Sequence, residues 1–590
     1  MINLKNIDRS NIIVFVMLIA ITIILFRCIN LQYKDTEKYS NLIEDREIKS
    51  HIIKTSRGTI VDRNNNILAE SVPMHSLIVT DTEKFFQNKV AIKKLASILN
   101  VSTESIYIEL KNKENKKFNY IKNARHIPNQ KVKKIKNLNI SGITFIKEYK
   151  RYYPEGEILA SLIGMTDFDH NGQMCIELSF DEILKGKDGK KIVVKDKYGK
   201  IVDEIEQVTI PQEGKELKLT IDKRLQYVAY RELKKQIISS KAASGSVVIL
   251  DTTNGEILAS ASYPSFDPNN RSKYTQQEID EGARNRVIID ALEPASTIKP
   301  FLLAAALYSK KVNLNDLYDT TPGYKRIENK IYRDYKNYGK LTTEEVIIHS
   351  SNLGSIMISE KFNKKIFYEL LEYVGVGEKI NLNFPSEAEG VFKHYSEWKN
   401  SDIRSLAMGY AFKVTPLQLA KAYSVIANDG LVINPKFIKS ENTQILEERK
   451  YENEFKKVKK VIRRVIEDGT AKRALIEGYT VGGKTGTARL YTANNKIDKY
   501  SSKDHISLFA GIVPLNRPKL VIVVVVNQPK TKVHFGGYVA APVFKKIATD
   551  SLRILNVSPD NILDYKKQVS TKIKNVGNYS LKTPEVANVF

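Results

Sequence analysis

Apolar and polar positions follow four patterns along this chain, and each pattern predicts a helix or strands. One long apolar run lies near the N-terminus. Further on, two alternating runs from Gly245 to Pro264 surround the turn sequence T-N-G and predict a β-hairpin. Apolar positions from Leu225 to Ile238 recur with helical spacing and predict a helix. Short β-branched runs return near the end, at Ser507–Pro514 and Lys519–Asn527, and predict strands.

The N-terminal apolar run is long enough to cross a membrane. Ile12 to Phe26 contains no charge, and its extension to Leu31 gives the length that a spanning helix needs. A cleaved signal peptide is the alternative, but F-R-C-I-N-L-Q offers no small residues for cleavage. We therefore predict an uncleaved anchor. Its orientation stays open on charge alone, because basic residues lie on both sides of the run.

The rest of the chain divides into two large regions. In the first, N-N-N from Asn64 separates two alternating runs and predicts another hairpin. Two linker-like stretches, G-K-D-G-K and P-Q-E-G, lie before Leu217. From Leu217 the residue pattern changes, and predicted strands flank a helix-rich interior. This arrangement predicts an α+β layered domain. The predicted divisions are 1–11 N-terminal segment, 12–31 anchor, 32–215 first region, 216–556 second domain and 557–590 C-terminal tail.

Charge and cysteine content narrow the function classes. The formal net charge is +26, from 93 Lys and Arg against 67 Asp and Glu, but the lysines are spread along the whole chain. We therefore predict a solvated basic surface rather than a nucleic-acid interface. Cys28 and Cys175 have no metal-ligand spacing and are not expected to form a disulfide bond. The sequence indicates no metal and no organic cofactor.

Candidate chemistry lies in three short motifs of the second domain. E-P-A-S-T-I-K-P contains Ser296 and Lys299, and H-S-S-N-L-G contains Ser350 and Asn352. The third motif, in G-G-K-T-G-T-A, starts at Lys484. Each motif alone is weak, since H-Y-S-E-W-K-N, residues 394–400, also contains a Ser-x-x-Lys. Together, in the order Ser-x-x-Lys, Ser-x-Asn, Lys-Thr-Gly, they match the signature of penicillin-binding proteins and related serine β-lactamases.

The first two motifs supply a nucleophile and its proton acceptors. A serine hydroxyl needs an adjacent base, and on a helix Lys299 shares a face with Ser296. Burial and neighbouring cations lower a lysine pKa, which a base requires. Ser350 is predicted to pass the proton to the leaving amine, and Asn352 to orient Lys299 and bind a substrate amide. Which group is the acylation base stays open.

The third motif supplies groups that hold the substrate. Lys484 is predicted to attract a substrate carboxylate, and Thr485 and Thr487 add hydroxyl groups. Gly486 allows close approach of the strand backbone to a ligand. The backbone N–H groups of Ser296 and Thr487 are predicted to form the oxyanion hole.

The chain resembles class B penicillin-binding proteins over almost its whole length. The residues that carry the resemblance are R-G-T-I-V-D-R-N-N-N-I-L-A, R-Y-Y-P-E-G-E-I-L-A-S-L-I-G, G-E-I-L-A-S-A-S-Y-P-S-F-D-P-N-N, V-T-P-L-Q-L-A-K-A-Y and A-A-P-V-F-K. T-S-R-G, K-R-Y-Y-P and K-D-K-Y-G-K are most similar to the division-specific penicillin-binding protein 3 of Gram-negative bacteria. The resemblance implies a dimerisation-type pedestal at 32–215. It also implies a transpeptidase domain at 216–556, with an antiparallel sheet and a helical subdomain.

The resemblance also implies an activity and a location. Ser296 would be acylated by the D-Ala-D-Ala end of a peptidoglycan stem peptide, a second stem would take the acyl group, and β-lactams would acylate the same serine. The implied partners are a septal glycan polymerase and other division proteins. The implied location is the inner membrane at the septum, with residues 1–11 cytoplasmic and the catalytic domain periplasmic.

Two positions depart from the family pattern, and two other functions remain open. Ala295 stands where the family has glycine, and Met174–Glu177 replace a more glycine-rich stretch. The same three motifs also serve D,D-carboxypeptidases and β-lactamases, although the pedestal and the anchor disfavour a hydrolase. A division scaffold or β-lactam sensor without turnover is the other alternative.

Overall fold

The structure is a computed structural model, and it describes most of the chain in two compact units. The described residues are 9–33, 47–111, 119–121, 123–195, 201–328, 330–439, 449–491 and 500–561. Unit 1 is built from residues up to Gly58, from Ser71–Arg151 and from Lys185–Lys215; unit 2 is built from Thr59–Glu70, Tyr152–Leu184 and the chain from Glu216. Of the predicted segments 1–11 and 557–590, residues 1–8 and 562–590 lie outside the described residues.

The strands are given in chain order. They are β1 Glu47–Ile53, β2 Ile60–Val61, β3 Ile67–Val79, β4 Asn119–Tyr120, β5 Ile143–Tyr152, β6 Gly189–Lys195, β7 Ile201–Thr209, β8 Leu217–Lys218, β9 Ser244–Asp251, β10 Ile257–Tyr263, β11 Leu317–Asp319, β12 Tyr324–Ile327, β13 Lys330–Arg333, β14 Lys340–Thr342, β15 Gly482–Tyr491, β16 Tyr500–Val513 and β17 Leu520–Asn527.

The α-helices are numbered in the same way. They are α1 Arg9–Tyr33, α2 Thr82–Gln87, α3 Lys89–Leu99, α4 Thr103–Lys111, α5 Asn129–Lys136, α6 Ala160–Ile163, α7 Cys175–Ser179, α8 Asp181–Leu184, α9 Lys223–Ser240, α10 Gln276–Ala283, α11 Lys299–Tyr308, α12 Thr343–Ile348, α13 Asn352–Ser359, α14 Lys364–Tyr373, α15 Asn400–Ala407, α16 Pro416–Ala427, α17 Glu452–Glu467, α18 Gly536–Val539 and α19 Ala541–Ile554.

Helix α1 contains the apolar run predicted from the sequence. Residues Ile13–Gln32 have a mean hydropathy of 2.6, and none of this stretch is buried against the rest of the chain. The Thr22 hydroxyl donates to the carbonyl of Leu18 at 2.7 Å, so its polar group is satisfied within the helix. The length and composition of α1 fit a single-pass membrane anchor.

Unit 1 contains a small sheet and a separate helical core. Strands β1, β6 and β7 form an antiparallel sheet in the order β1-β6-β7. Strand β3 pairs with β4 and β5. A core cluster that includes Phe85, Leu95 and Ile106 is buried among helices α2 to α5.

Unit 2 is organised around a five-stranded antiparallel sheet in the order β10-β9-β17-β16-β15. The predicted hairpin at Gly245–Pro264 is confirmed as β9 and β10, and the β-branched run is confirmed as β17. All eight residues of β9 are buried, as are the first seven of β17. Because consecutive residues of a strand face opposite sides, helices must cover both faces of the sheet here.

Helices α9, α16 and α19 pack against this sheet. Helix α16 is buried at every position, and its N-terminus is fixed by a capping box between Thr415 and Gln418. Near the end of unit 2, Asp560 accepts hydrogen bonds from the backbone and the hydroxyl of Thr480. In the earlier part of the same unit, β2 pairs in parallel with β8, with Ile60 opposite Leu217.

A buried helix brings the motifs of unit 2 together. Helix α11 packs against α13, α14 and α17, and its residues are buried up to Leu307. Its apolar sequence K-P-F-L-L-A-A-A-L explains this burial, since a helix that is apolar on all sides is stable only in a core. The residues just before α11 are the predicted nucleophile segment, so the core fixes the position of that segment.

Candidate active site

The nucleophile segment is a short 3-10 helix, Ala295–Ile298, that continues directly into α11. Ser296 is half-buried, whereas Lys299 is completely buried at 0% exposure. The Lys299 ammonium donates to the carbonyls of Ser350 and Ser351 at 2.8 and 3.1 Å, and to Asn352 Oδ1 at 2.9 Å. The structure therefore brings together the first two motifs, as the sequence predicts, through Lys299.

The second motif occupies the turn between α12 and α13. Ser350 has a φ of +62°, a left-handed conformation that is rare for a residue with a side chain. Ser351 caps α13, because its hydroxyl oxygen accepts from the amide of Gly354 at 2.9 Å. Asn352 donates through its side-chain amide to the carbonyl of Arg333 at 3.0 Å. Both ends of the Asn352 amide are thus engaged, which fixes the oxygen that faces Lys299.

The third motif lies on β15, at the edge of the five-stranded sheet. Lys484 is completely buried, and its ammonium donates to Ser350 Oγ at 2.8 Å and to the carbonyl of Thr485 at 3.2 Å. The Thr485 hydroxyl lies 2.9 Å from that of Thr470, and the Thr487 hydroxyl accepts from the amide of Gly536 at 3.0 Å. The outer side of an edge strand presents backbone groups that can bind an extended peptide.

Gly486 allows β15 to lie close to the nucleophile segment. A Cβ atom at this position would approach the carbonyl oxygen of Pro294 and the methyl group of Thr297 to 3.0 Å. The segment that carries Ser296 would have to move to accept any side chain there. The absence of a side chain at Gly486 therefore allows the first and third motifs to lie in contact.

Ser350 connects two buried lysines. Its carbonyl accepts from Lys299 and its hydroxyl from Lys484. Burial lowers the pKa of Lys299 to about 7, although the charge of Asp334 opposes the shift. Burial and the charge of Lys299 together hold the pKa of Lys484 well below its usual value. Lys484 and the Ser350 hydroxyl are in hydrogen-bond contact, which is the arrangement that a proton transfer between them needs.

Asp334 and Glu293 contribute to the site, and sequence reasoning missed both. Asp334 Oδ2 accepts from the hydroxyl of Ser351 at 2.6 Å. Glu293 Oε1 accepts from the Tyr500 hydroxyl at 2.9 Å and from the amide of Ala411 at 3.1 Å. Glu293 begins the quoted stretch E-P-A-S-T-I-K-P, and Asp334 lies outside all three motifs, but for neither acid does the sequence indicate the contacts it makes.

The second Ser-x-x-Lys is placed quite differently. Ser396 and Lys399 are both exposed, and Ser396 lies in a short 3-10 helix, Tyr395–Glu397. The Ser396 hydroxyl contacts the ring of His394 at 2.7 Å. No contact among the described residues joins this pair to Lys484 or Ser350, so the pair is a matched control for the candidate site.

Both departures from the glycine pattern keep a glycine-like backbone. Ala295 has a φ of +48° and Cys175 a φ of +55°. The amide of Ala295 donates to the carbonyl of Gly409 at 3.0 Å, which holds this conformation. The residue before Ser296 therefore has a left-handed backbone, the conformation that glycine adopts most readily, although it is an alanine.

Substitutions at Ala295 are expected to follow backbone preference rather than size. The free energy of unfolding of Ala295→Gly should stay within about 1 kcal/mol of wild type. Glycine relieves the strain of the left-handed backbone, and this gain offsets the lost burial of the methyl group and the larger entropy of the unfolded chain. Ala295→Val should lose about 2 kcal/mol or more, because β-branched residues disfavour positive φ. Chemical denaturation measures both changes. Equal stability of the two variants would contradict the left-handed assignment.

Comparison with known proteins identifies two matching domain families. The penicillin binding protein transpeptidase domain matches residues 245–549, and the penicillin-binding protein dimerisation domain matches residues 52–219. The probable peptidoglycan D,D-transpeptidase PenA of Neisseria gonorrhoeae is 33% identical over 545 residues, which cover 91% of this chain and 92% of the relative. The peptidoglycan D,D-transpeptidase FtsI of Escherichia coli K12 is 34% identical over 550 residues, with coverage of 92% and 91%.

A solved structure agrees with the fold. Penicillin binding protein 3 from Mycobacterium tuberculosis, in complex with aztreonam, matches with a TM-score of 0.65 at 23% identity. The match covers 86% of this chain and 98% of that structure. With the matches to both domain families and to PenA and FtsI, the resemblance that the motifs indicated is confirmed. The chain belongs to the class B penicillin-binding proteins, with a dimerisation domain followed by a transpeptidase domain.

Proposed function

We propose that this protein is a serine D,D-transpeptidase that cross-links peptidoglycan stem peptides through an acyl-enzyme on Ser296. The observation that carries the proposal is the chain of contacts from Lys299 through Ser350 to Lys484, beside the segment of Ser296. The names of PenA and FtsI support the reaction and the substrate class. The edge position of β15 supports binding of an extended peptide.

In the first half of the reaction, the Ser296 oxygen attacks the carbonyl carbon of the penultimate D-alanine. The proton of the hydroxyl passes to neutral Lys299, and the N–H groups of Ser296 and Thr487 stabilise the oxyanion. The C–N bond then breaks. Lys484 supplies a proton, which passes through the hydroxyl of Ser350 to the nitrogen of the leaving D-alanine. An ester on Ser296 remains.

In the second half, the amine of another stem peptide attacks the ester carbonyl. Its proton returns through the same groups, the C–O bond breaks, and Ser296 recovers its hydroxyl. Lys484, Thr485 and Thr487 hold the terminal carboxylate of the donor in the first half, and Asn352 binds a donor amide. β-Lactams would acylate Ser296 by the same attack and remain bound as the ester.

The proposed setting follows from α1 and from the relatives. One apolar helix fits a single-pass anchor in the inner membrane, and similarity to FtsI supports a role at the division septum. We place the catalytic domain in the periplasm, where its substrate is cross-linked, and residues 1–11 in the cytoplasm. A septal glycan polymerase and other division proteins are the proposed partners.

Product analysis tests the reaction directly. The full chain in detergent is incubated with a stem pentapeptide ending in D-Ala-D-Ala, with and without an amine acceptor, and the products are separated by mass spectrometry. We expect release of D-alanine together with a donor–acceptor adduct whose yield rises with the acceptor concentration. Free tetrapeptide alone would assign a carboxypeptidase instead. Absence of any D-alanine release would favour a scaffold or sensor.

A further inference from the structure

Asp334 lies outside all three motifs, yet its carboxylate contacts the second motif at several points. It follows β13 and precedes β14, and it is half-buried. Oδ1 accepts from the backbone amides of Asn352 and Leu353, the second at 3.1 Å. Oδ2 accepts from the Ser351 hydroxyl at 2.6 Å. One side chain thus binds three consecutive residues at the start of α13.

These contacts satisfy backbone groups that the helix itself leaves open. The first amides of a helix have no partner within it, and a carboxylate near this end is also favoured by the helix dipole. Ser351 Oγ accepts from the amide of Gly354 while it donates to Asp334, so the cap and the carboxylate form one network. The start of α13 is therefore tied to the strand pair β12–β13 through Asp334.

The same network holds a strained turn. Ser350 has a left-handed backbone, which is strained for a residue with a side chain. This conformation directs the carbonyls of Ser350 and Ser351 at Lys299 and the hydroxyl of Ser350 at Lys484. If the start of α13 were free, the turn could relax, and both lysines would lose partners.

Asp334 also acts on the site through its charge. Lys299 and Lys484 are both completely buried, and the Asp334 carboxylate raises the pKa of Lys299 against the larger effect of burial. The charge of Lys299 in turn lowers the pKa of Lys484. Tyr338, on the same loop, has its pKa raised by burial, then by Asp334 and Tyr335. The carboxylate is therefore coupled to the group proposed as the base.

We propose that Asp334 is a positioning residue for acylation: it holds the Ser350 turn in place, and its negative charge acts on Lys299 from beside Ser351 and Asn352, the residues that bind this lysine. The inference rests on the proposed acylation of Ser296. It assigns a function to a residue outside the three motifs, and it makes two separable statements, one about geometry and one about charge. Two variants can distinguish them.

Asp334→Asn removes the charge and keeps the size of the side chain. Ser351→Ala keeps the charge but removes two hydrogen bonds of the hydroxyl, the one donated to Asp334 and the one accepted from the amide of Gly354. The second-order rate constant for acylation by a chromogenic cephalosporin is measured between pH 5 and pH 9. Asp334→Asn should lower the plateau of the acylation rate constant roughly tenfold. It should also move the acidic limb of the pH profile to lower pH by about one unit, because Lys299 then stays neutral down to a lower pH. Ser351→Ala should lower the plateau and leave the limb unmoved.

The outcomes separate this inference from the proposed function. If wild-type protein forms no adduct on Ser296, the proposed function fails. If wild type is acylated and Asp334→Asn shows the wild-type plateau and limb, the role of Asp334 alone is overturned. A lowered plateau with an unmoved limb in Asp334→Asn would refute the charge statement and leave only a structural role.

A folding defect would not leave the question open. Thermal unfolding is recorded for each variant, and Asp334→Glu serves if Asp334→Asn does not fold. The glutamate keeps the charge but displaces the carboxylate by one methylene, so we expect a lowered plateau and a limb at the wild-type pH. A limb displaced by a full unit in Asp334→Glu, or wild-type plateaus in both Asp334→Glu and Ser351→Ala, would overturn the proposal.

Discussion

Ser296→Ala is expected to abolish covalent labelling by a fluorescent penicillin and to reduce cross-linking by a factor on the order of 10⁴ or more. The alanine removes the only atom of this residue that can form the ester, while the backbone N–H groups remain. Ser296 precedes the buried helix α11 and has a half-buried side chain, so the substitution should leave the fold intact. Gel fluorescence and mass spectrometry of the labelled peptide measure the result.

Ser396→Ala is the matched control. Ser396 also precedes a lysine by three residues, but it is exposed and its hydroxyl contacts His394. Its substitution should leave labelling and cross-linking at wild-type levels. A label that persists in Ser296→Ala and disappears in Ser396→Ala would reverse the assignment of the nucleophile.

Lys299→Met is expected to have the second largest effect, a loss of acylation on the order of 10³-fold. Methionine fills a similar apolar volume but cannot accept the serine proton. In wild type, acylation should rise with pH through about 7, because the lysine must lose its proton before it can act as a base. At pH 5.5 the neutral fraction, and with it the rate, should be roughly thirtyfold below the plateau.

The control and the alternative base can be tested in the same assay. Lys399→Met changes the exposed lysine of the second Ser-x-x-Lys and should keep the full pH profile of wild type. If Lys299→Met retained a wild-type rate, the base would have to be sought in Ser350 and Lys484 instead. Stopped-flow acylation with a chromogenic β-lactam resolves both the rates and the limb.

Short-range patterns in the sequence predicted the parts of the fold that depend on neighbours along the chain. The hairpin of β9 and β10 follows from alternation around a turn sequence, and the burial of β17 follows from its run of valines. The three motifs were also recognisable, because each is a few residues long. The structure brings Lys299, Ser350 and Lys484 into hydrogen-bond contact.

Contacts between distant residues were beyond the sequence. Asp334 is a lone acid whose partners, Ser351 and Asn352, become visible only when β13 lies beside the start of α13. The left-handed backbones of Ala295 and Cys175 were equally hidden, since neither residue type favours a positive φ. Tertiary contacts impose these conformations, and the backbone preferences of alanine and cysteine do not predict them.

Unit 2 is built from segments that lie far apart along the sequence, and this affects when the unit can complete its fold. Strand β2 near residue 60 pairs with β8, and Asp560 binds Thr480, so unit 2 requires contacts from almost both ends of the described chain. Contacts of such sequence separation form late and slow the folding of a domain. During synthesis, the contact between Asp560 and Thr480 can therefore form only after Asp560 has left the ribosome. Termination after Ile554 but before Asp560 would keep the last helix that packs on the sheet and leave Thr480 without its carboxylate partner.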